Sequence, residues 1–148
     1  MGAIDCPFHV GASIVDKLRR QTPVIIVDFH AEATAEKISM GWHLDGKVSA
    51  VIGTHTHIQT ADASILPGGT AFISDVGMTG PYNSVLGRRT DRVLGSQLSG
   101  MPSPFDVAEG DARMCGIVAV VDSETGRATS IERIRIDDVG EGGENSGA

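Results

Sequence analysis

The sequence predicts an α/β fold in which parallel strands carry functional residues at their carboxyl ends. Three observations predict it. Two β-branched runs, residues 24–29 and 48–54, flank a stretch with helix signals, the pattern of a right-handed β-α-β crossover. The first run is almost continuously apolar, as in a strand covered on both faces. Both runs lead into histidine, His30 after the first and His55 and His57 after the second. Open α/β sheets form their sites at this end of the strands.

Bulk properties narrow the possibilities. The chain has 148 residues, which suits one domain with a real core; residues 1–137 are expected to form it, with an acidic, glycine-rich, disordered tail over 138–148. Nineteen glycines and only 4% aromatics imply many tight turns and a core of Val, Ile, Ala and Leu. The formal net charge of −7 argues against a duplex nucleic acid partner, whose phosphates bind Lys and Arg, but not against a small anion held through metal ions. Cys6 and Cys115 form no C-x-x-C pair, which fits a reducing compartment. No run approaches the ~18 apolar residues of a membrane span, and no basic segment precedes an apolar one at the start. No membrane association is expected, and a cytoplasmic location is.

The elements follow in order. Residues 1–8 read as a loop. Val10, Ile14, Val15 and Leu18 have helical spacing and predict a helix over 10–20. After Pro23 comes the first strand. Residues 32–44 predict a helix, with Glu32 and Glu36 toward its positive end and Gly46 just past its other end; Trp42 is expected to pack within it. The second strand, 48–54, carries Gly53, where the backbone can approach another group closely. Strands 63–66 and 70–74 flank the hairpin-like turn Pro67-Gly68-Gly69. Residues 75–81 read as a loop from their glycines and proline, and 90–98 as a short helix. Strands 113–122 and 128–136 form a hairpin about residues 123–127.

The chemistry concentrates on the histidines. In extended chain, residues i and i+2 point to the same side, so His55 and His57 can converge, and neutral imidazole is a common transition-metal ligand. His30 is the third candidate ligand. Asp28 and Glu32 flank it as carboxylates able to orient a ligating imidazole; Asp62 and Asp75 have the same option, or serve as turn and cap residues. His9 and His43 are expected to be surface or packing residues, and Arg88, Arg89 and Arg92 a solvated basic surface. A dinuclear centre suits phosphate ester hydrolysis because two cations ~3.5–4 Å apart clamp phosphoryl oxygens and acidify a bound water.

Three extended motifs, Val27-Asp28-Phe29-His30-Ala31-Glu32-Ala33-Thr34, Gly53-Thr54-His55-Thr56-His57-Ile58-Gln59-Thr60-Ala61-Asp62 and Ser74-Asp75-Val76-Gly77-Met78-Thr79-Gly80-Pro81, closely resemble bacterial metallophosphoesterases of the YmdB-like group, in the calcineurin-like phosphoesterase superfamily. The resemblance runs from about Ile4 to Ile136. It implies the C-terminal part of a four-layer α/β/β/α sandwich, a dinuclear iron or manganese centre, and hydrolysis of small phosphodiesters, notably cyclic nucleotides. By motif, His30, His55 and His57 match the family's metal-binding histidines. In the family these motifs follow an earlier part that supplies an aspartate, a glutamate, asparagines and a further histidine. The sequence is therefore expected to be a truncated, C-terminal segment supplying the histidine half of the site. Its exposed strand edge should make it marginally stable or self-associating, with a second copy or a complementary chain as partner. The alternative is a non-catalytic remnant acting as a weak metal-binding or assembly module. A metal-dependent amidohydrolase also uses H-x-H, but needs a (β/α)₈ barrel of ~250 residues.

Overall fold

The computed structural model describes residues 5–138; of the tail expected over 138–148, residues 139–148 lie outside them. Ten elements follow one another: α1 (Pro7–Leu18), β1 (Ile26–His30), α2 (Thr34–Leu44), β2 (Ala50–Thr54), β3 (Ser64–Ile65), β4 (Ala71–Ile73), β5 (Thr79–Pro81), α3 (Thr90–Ser99), β6 (Ala112–Val121) and β7 (Ala128–Asp137). The α/β class holds.

β1, β2 and β4 are parallel, and β3 pairs antiparallel with β4, giving the order β1-β2-β4-β3. The crossover through α2 is the one the two apolar runs predict. Its register sets Ile26 opposite Ala50 and His30 opposite Thr54, so the first histidine lies one residue short of the second. β5, β6 and β7 form a separate antiparallel sheet, with the expected hairpin joining β6 to β7.

Each face of the first sheet is covered differently. On one side α1 and α2 enclose Val15, Ile25, Met40, Leu44, Val48, Val51, Leu66 and Phe72. Burying side chains of this size stabilises by about 1.5–3 kcal/mol each. On the other side Ala50, Ala71 and Ala128 meet, with Ile52, Ala119, Val121 and Ile131 around them. Small residues let the two sheets approach, and the Ala128 amide donates to the Gly69 carbonyl at 2.8 Å. The described residues thus form helices, sheet and sheet. α3 makes no extensive contact with either sheet, so they do not form the outermost helical layer of the sandwich that the resemblance implies. No helix among them is long and apolar enough to cross a membrane.

Three local expectations are corrected. α1 begins at Pro7, inside the stretch read as a loop, because proline's fixed φ suits a first helical turn. Residues 79–81, also read as loop, pair as β5 with Ala112, Arg113 and Met114, a case of sheet neighbours overriding poor strand formers. On α2 the buried face is Lys37, Met40, Gly41 and Leu44, while Trp42 is 56% exposed; the helix turns a lysine inward and the indole out.

Candidate metal centre

His30, the turn after β2 and the start of the loop after β4 all lie at the carboxyl ends of the parallel strands. His30 Nε2 and His55 Nδ1 are 3.2 Å apart, and their rings meet edge to face at 80°. A hydrogen-bond chain fixes the first ring: Thr54 Oγ1 donates to Asp28 Oδ1 at 3.1 Å, so it accepts from His30 Nδ1, also at 3.1 Å. That assignment leaves the His30 Nε2 lone pair facing His55. A carboxylate acting through a hydroxyl on an imidazole is the kind of support that orients ligating histidines. Asp28 thus reaches His30 through the Thr54 hydroxyl. Glu32 is exposed in the turn before α2 and reaches none of the histidines by hydrogen bond.

His57 is held separately. Its Nδ1 donates to the Leu86 carbonyl at 3.0 Å, which leaves Nε2 free as a ligand atom. Among the described residues no group of three His, Cys, Asp or Glu side chains is gathered around one point. The structure therefore brings His30 and His55 together and keeps His57 apart, although the i, i+2 spacing suggests that His55 and His57 converge. The reason is in the backbone: φ is +138° at His55 and +65° at His57, so the segment is a turn and no longer extended chain. Non-glycine residues in such conformations cost about 1–3 kcal/mol each and persist only when their surroundings hold them.

What holds them is an ion pair beneath the turn. Lys37 Nζ lies 3.1 Å from Asp75 Oδ2, with both side chains 1% exposed. Asp75 Oδ2 also accepts the Thr56 amide at 2.7 Å, and Oδ1 accepts the Gly77 amide at 3.0 Å. Lys37 Nζ makes a longer contact, 3.4 Å, with the Thr54 carbonyl. Burial alone would raise the Asp75 pKa, but the Thr56 and Gly77 amides and Lys37 outweigh it and hold the carboxyl below its ordinary value. Asp62 behaves alike: the cost of burial is outweighed by the Thr60 hydroxyl and by Ser74, and the group serves the loop rather than the histidines. A Cβ at Gly53 would sit on the Ser74 carbonyl and press on Lys37. The close approach expected at that glycine is what lets Lys37 pass beneath β2.

Lys37 is the residue that sequence reasoning misses. Lysine is almost never fully buried unless paired; the one available signal is its place in the i, i+3, i+4, i+7 row with Met40, Gly41 and Leu44. Of the remaining basic and histidine residues, Arg89 and Arg92 make exposed pairs with Asp91 and Asp106, as a solvated surface should. Arg88 differs, stacking its guanidinium 3.3 Å over Phe105. His43 packs edge-on against Phe8.

Chemically, the pair of nitrogens suits a metal ion. Two imidazole nitrogens each about 2.1 Å from one ion, at an angle of about 100°, stand about 3.2 Å apart, the separation of His30 Nε2 and His55 Nδ1.

Known proteins resemble the chain over most of its length. The family model described as YmdB-like protein matches residues 1–134. A 2',3'-cyclic-nucleotide 2'-phosphodiesterase of Bacillus subtilis is 48% identical over 135 residues, 91% of this chain and 51% of the relative. A putative phosphatase/phosphodiesterase of Mycoplasma pneumoniae is 39% identical over 131 residues, covering 88% of this chain and 46% of that one. Among solved structures, a hypothetical protein from Thermus thermophilus superposes with a TM-score of 0.84 at 39% identity, over 93% of this chain and 53% of that one. A structure described as a novel phosphatase from Mycoplasma pneumoniae gives 0.82 at 39% identity, over 88% and 46%. The chain spans about half the length of the relatives it matches.

Proposed function

The chain belongs to the YmdB-like family, and from that premise we propose that it is the histidine-bearing half of a metal-dependent phosphoesterase acting on small phosphodiesters of the cyclic-nucleotide type. The observation that carries the reading is the 3.2 Å approach of His30 Nε2 and His55 Nδ1 at the carboxyl ends of parallel strands. In this reading His30 and His55 serve one ion of a dinuclear iron or manganese centre and His57 serves the other. Asp28, acting through Thr54, and the Leu86 carbonyl set the two rings' tautomers. Glu32 is left with no orienting role. Bound divalent ions would clamp phosphoryl oxygens and lower the pKa of a water. The chain's own part is to hold three imidazoles in place: the buried Lys37–Asp75 pair supports the turn, whose positive φ angles take His55 and His57 out of an extended strand. The anionic ligands that balance two cations would come from the further length that the relatives possess. The B. subtilis relative's named activity supports the substrate class.

The test is metal uptake and hydrolysis together. Chain stripped with chelator and offered iron and manganese should take up metal weakly. The His55→Ala, His57→Ala double variant should lose that uptake, along with any metal-stimulated hydrolysis of 2',3'-cyclic AMP. Unchanged metal-stimulated turnover in the double variant refutes the assignment.

One observation favours a second reading, an assembly module. β1 is an edge strand, and a groove of about 370 Å³ beside it is lined by Val10, Ile14, Leu18 and Ile26. An open apolar strand edge is a template for pairing with another chain. This reading expects concentration-dependent association by sedimentation, suppressed by Ile26→Lys; a monomer at all concentrations sinks it.

A further inference from the structure

The two sheets meet along part of β7, which packs on β3 and β4. Their contact is apolar where Ala128 faces Val121 and Ile131 faces Ala119 on β7 and β6. Continuing along the same face, the register sets Ile117 opposite Arg133, Cys115 opposite Arg135, and Arg113 opposite Asp137. The face that seals the core thus becomes cationic as it nears the histidine turn. A cavity of about 440 Å³ opens there, lined by Ile58, Gln59, Tyr82, Cys115, Arg133 and Arg135, with no carboxylate among them.

The balance of charge singles out Arg133. Arg135 commits its Nε and one terminal nitrogen to Asp137, at 2.8 and 3.1 Å, and Arg113 is 3.5 Å from the same carboxylate while also pairing with Asp111. Arg133 reaches only the Thr60 carbonyl, at 3.2 Å, and has no ion-pair partner among the described residues. Three guanidiniums therefore stand against two carboxylates, with Arg133 the one left over, in a chain whose net charge is −7. The wall beside them is fixed, because Gln59 Nε2 donates to the Gly116 and Ile134 carbonyls at 2.8 and 3.2 Å.

We propose that this cleft is an anion subsite for a phosphate group, held by Arg133 with Arg135 and separate from the histidine pair. The planar guanidinium matches phosphate oxygens in a two-pronged contact that a lysine cannot reproduce, and the rigid Gln59 wall keeps the cavity open. Ile58 and Gln59 directly follow His57, so one loop carries a metal ligand at one end and the cleft wall at the other. On the function proposed above, on which this extension rests, the subsite holds a second phosphate of the substrate and favours substrates with a phosphate beyond the scissile one.

Inorganic phosphate titrated into the chelator-stripped chain, followed by ¹H–¹⁵N NMR, tests the subsite without any metal. Saturable shifts should appear at the Gln59 side chain, the Cys115 amide and the arginine Nε signals. Arg133→Gln should weaken binding at least ~tenfold, the scale of one lost charge-assisted hydrogen bond, while Arg133→Lys recovers part of it and both variants keep the wild-type amide spectrum outside the cleft. Shifts centred on His30 and His55, or an unchanged Kd in Arg133→Gln, overturn the proposal. Metal uptake by Arg133→Gln is measured in parallel. Its retention shows that loss of phosphate binding belongs to the cleft, and its absence in wild type as well condemns the metal centre without touching the subsite.

Discussion

In the first sheet, β4 is buried along its whole length and β2 nearly so, whereas β6 and β7 of the second sheet expose much of one face, with Val118 and Val120 about half open and Ile136 at 56%. The central strands of one sheet are packed on both sides, while its edge strand β1 alternates between exposed and half-buried residues, and the other sheet is packed on one. The candidate metal centre stands at the carboxyl end of the first, and the cationic cleft stands against the face of the second, beside the loop after β2. The candidate imidazoles and the cleft proposed for an anion thus stand in two different packing regimes.

The sharpest way to break that contrast is the buried ion pair. Lys37→Met leaves Asp75 charged and uncompensated, and should cost about 3–5 kcal/mol by urea denaturation. Arg135→Gln at the exposed pair with Asp137 should leave the midpoint unmoved, and equal losses at both places would erase the distinction. Next in size, Ile73→Ala in β4, fully buried, should cost about 3 kcal/mol, against a change within about 0.5 kcal/mol for Val118→Ala on the open face. Gly53→Ala should cost about 2 kcal/mol by overpacking against Ser74, and its metal uptake should fall further than its stability because the turn itself is displaced.

The smallest effect is in pH. Asp75 has a folded pKa below its unfolded one. Its stabilisation is therefore complete above the ordinary aspartate value of 3.8 and is lost as pH falls through and below it. Asp75→Asn should flatten that part of the acid limb of a stability-versus-pH curve. An unchanged limb would mean that other carboxylates, such as Asp62, carry it.

Much of this architecture is legible in the residues. The parallel β1–β2 pair, the late hairpin and the histidines at strand ends follow from β-branched runs, turn residues and the rule that sites form beyond the strands. Four things do not follow. β5 contains Gly80 and Pro81, which locally read as punctuation, and exists because β6 offers partners. Lys37 reads as solvent-facing until its carboxylate, 38 residues away, is folded over it. The separation of His57 from His55 depends on two positive φ angles that no spacing rule contains, since H-x-H in a strand and H-x-H in a turn are the same letters. The cationic cleft needs the register of β6 against β7, because Arg133 and Arg135 look like any surface arginines until Cys115 and Ile117 are set opposite them.

The parallel pairing of β1 with β2 also decides when the histidines can meet. His30 and His55 are 25 residues apart in sequence, joined through α2, and the Asp75 that steadies the turn arrives only with β4. Non-local parallel pairings form late, since loop-closure entropy must be overcome before their contacts reward it. Until those pairings form, the His30–His55 approach does not exist, so any metal held by this pair of rings would meet a framework already assembled.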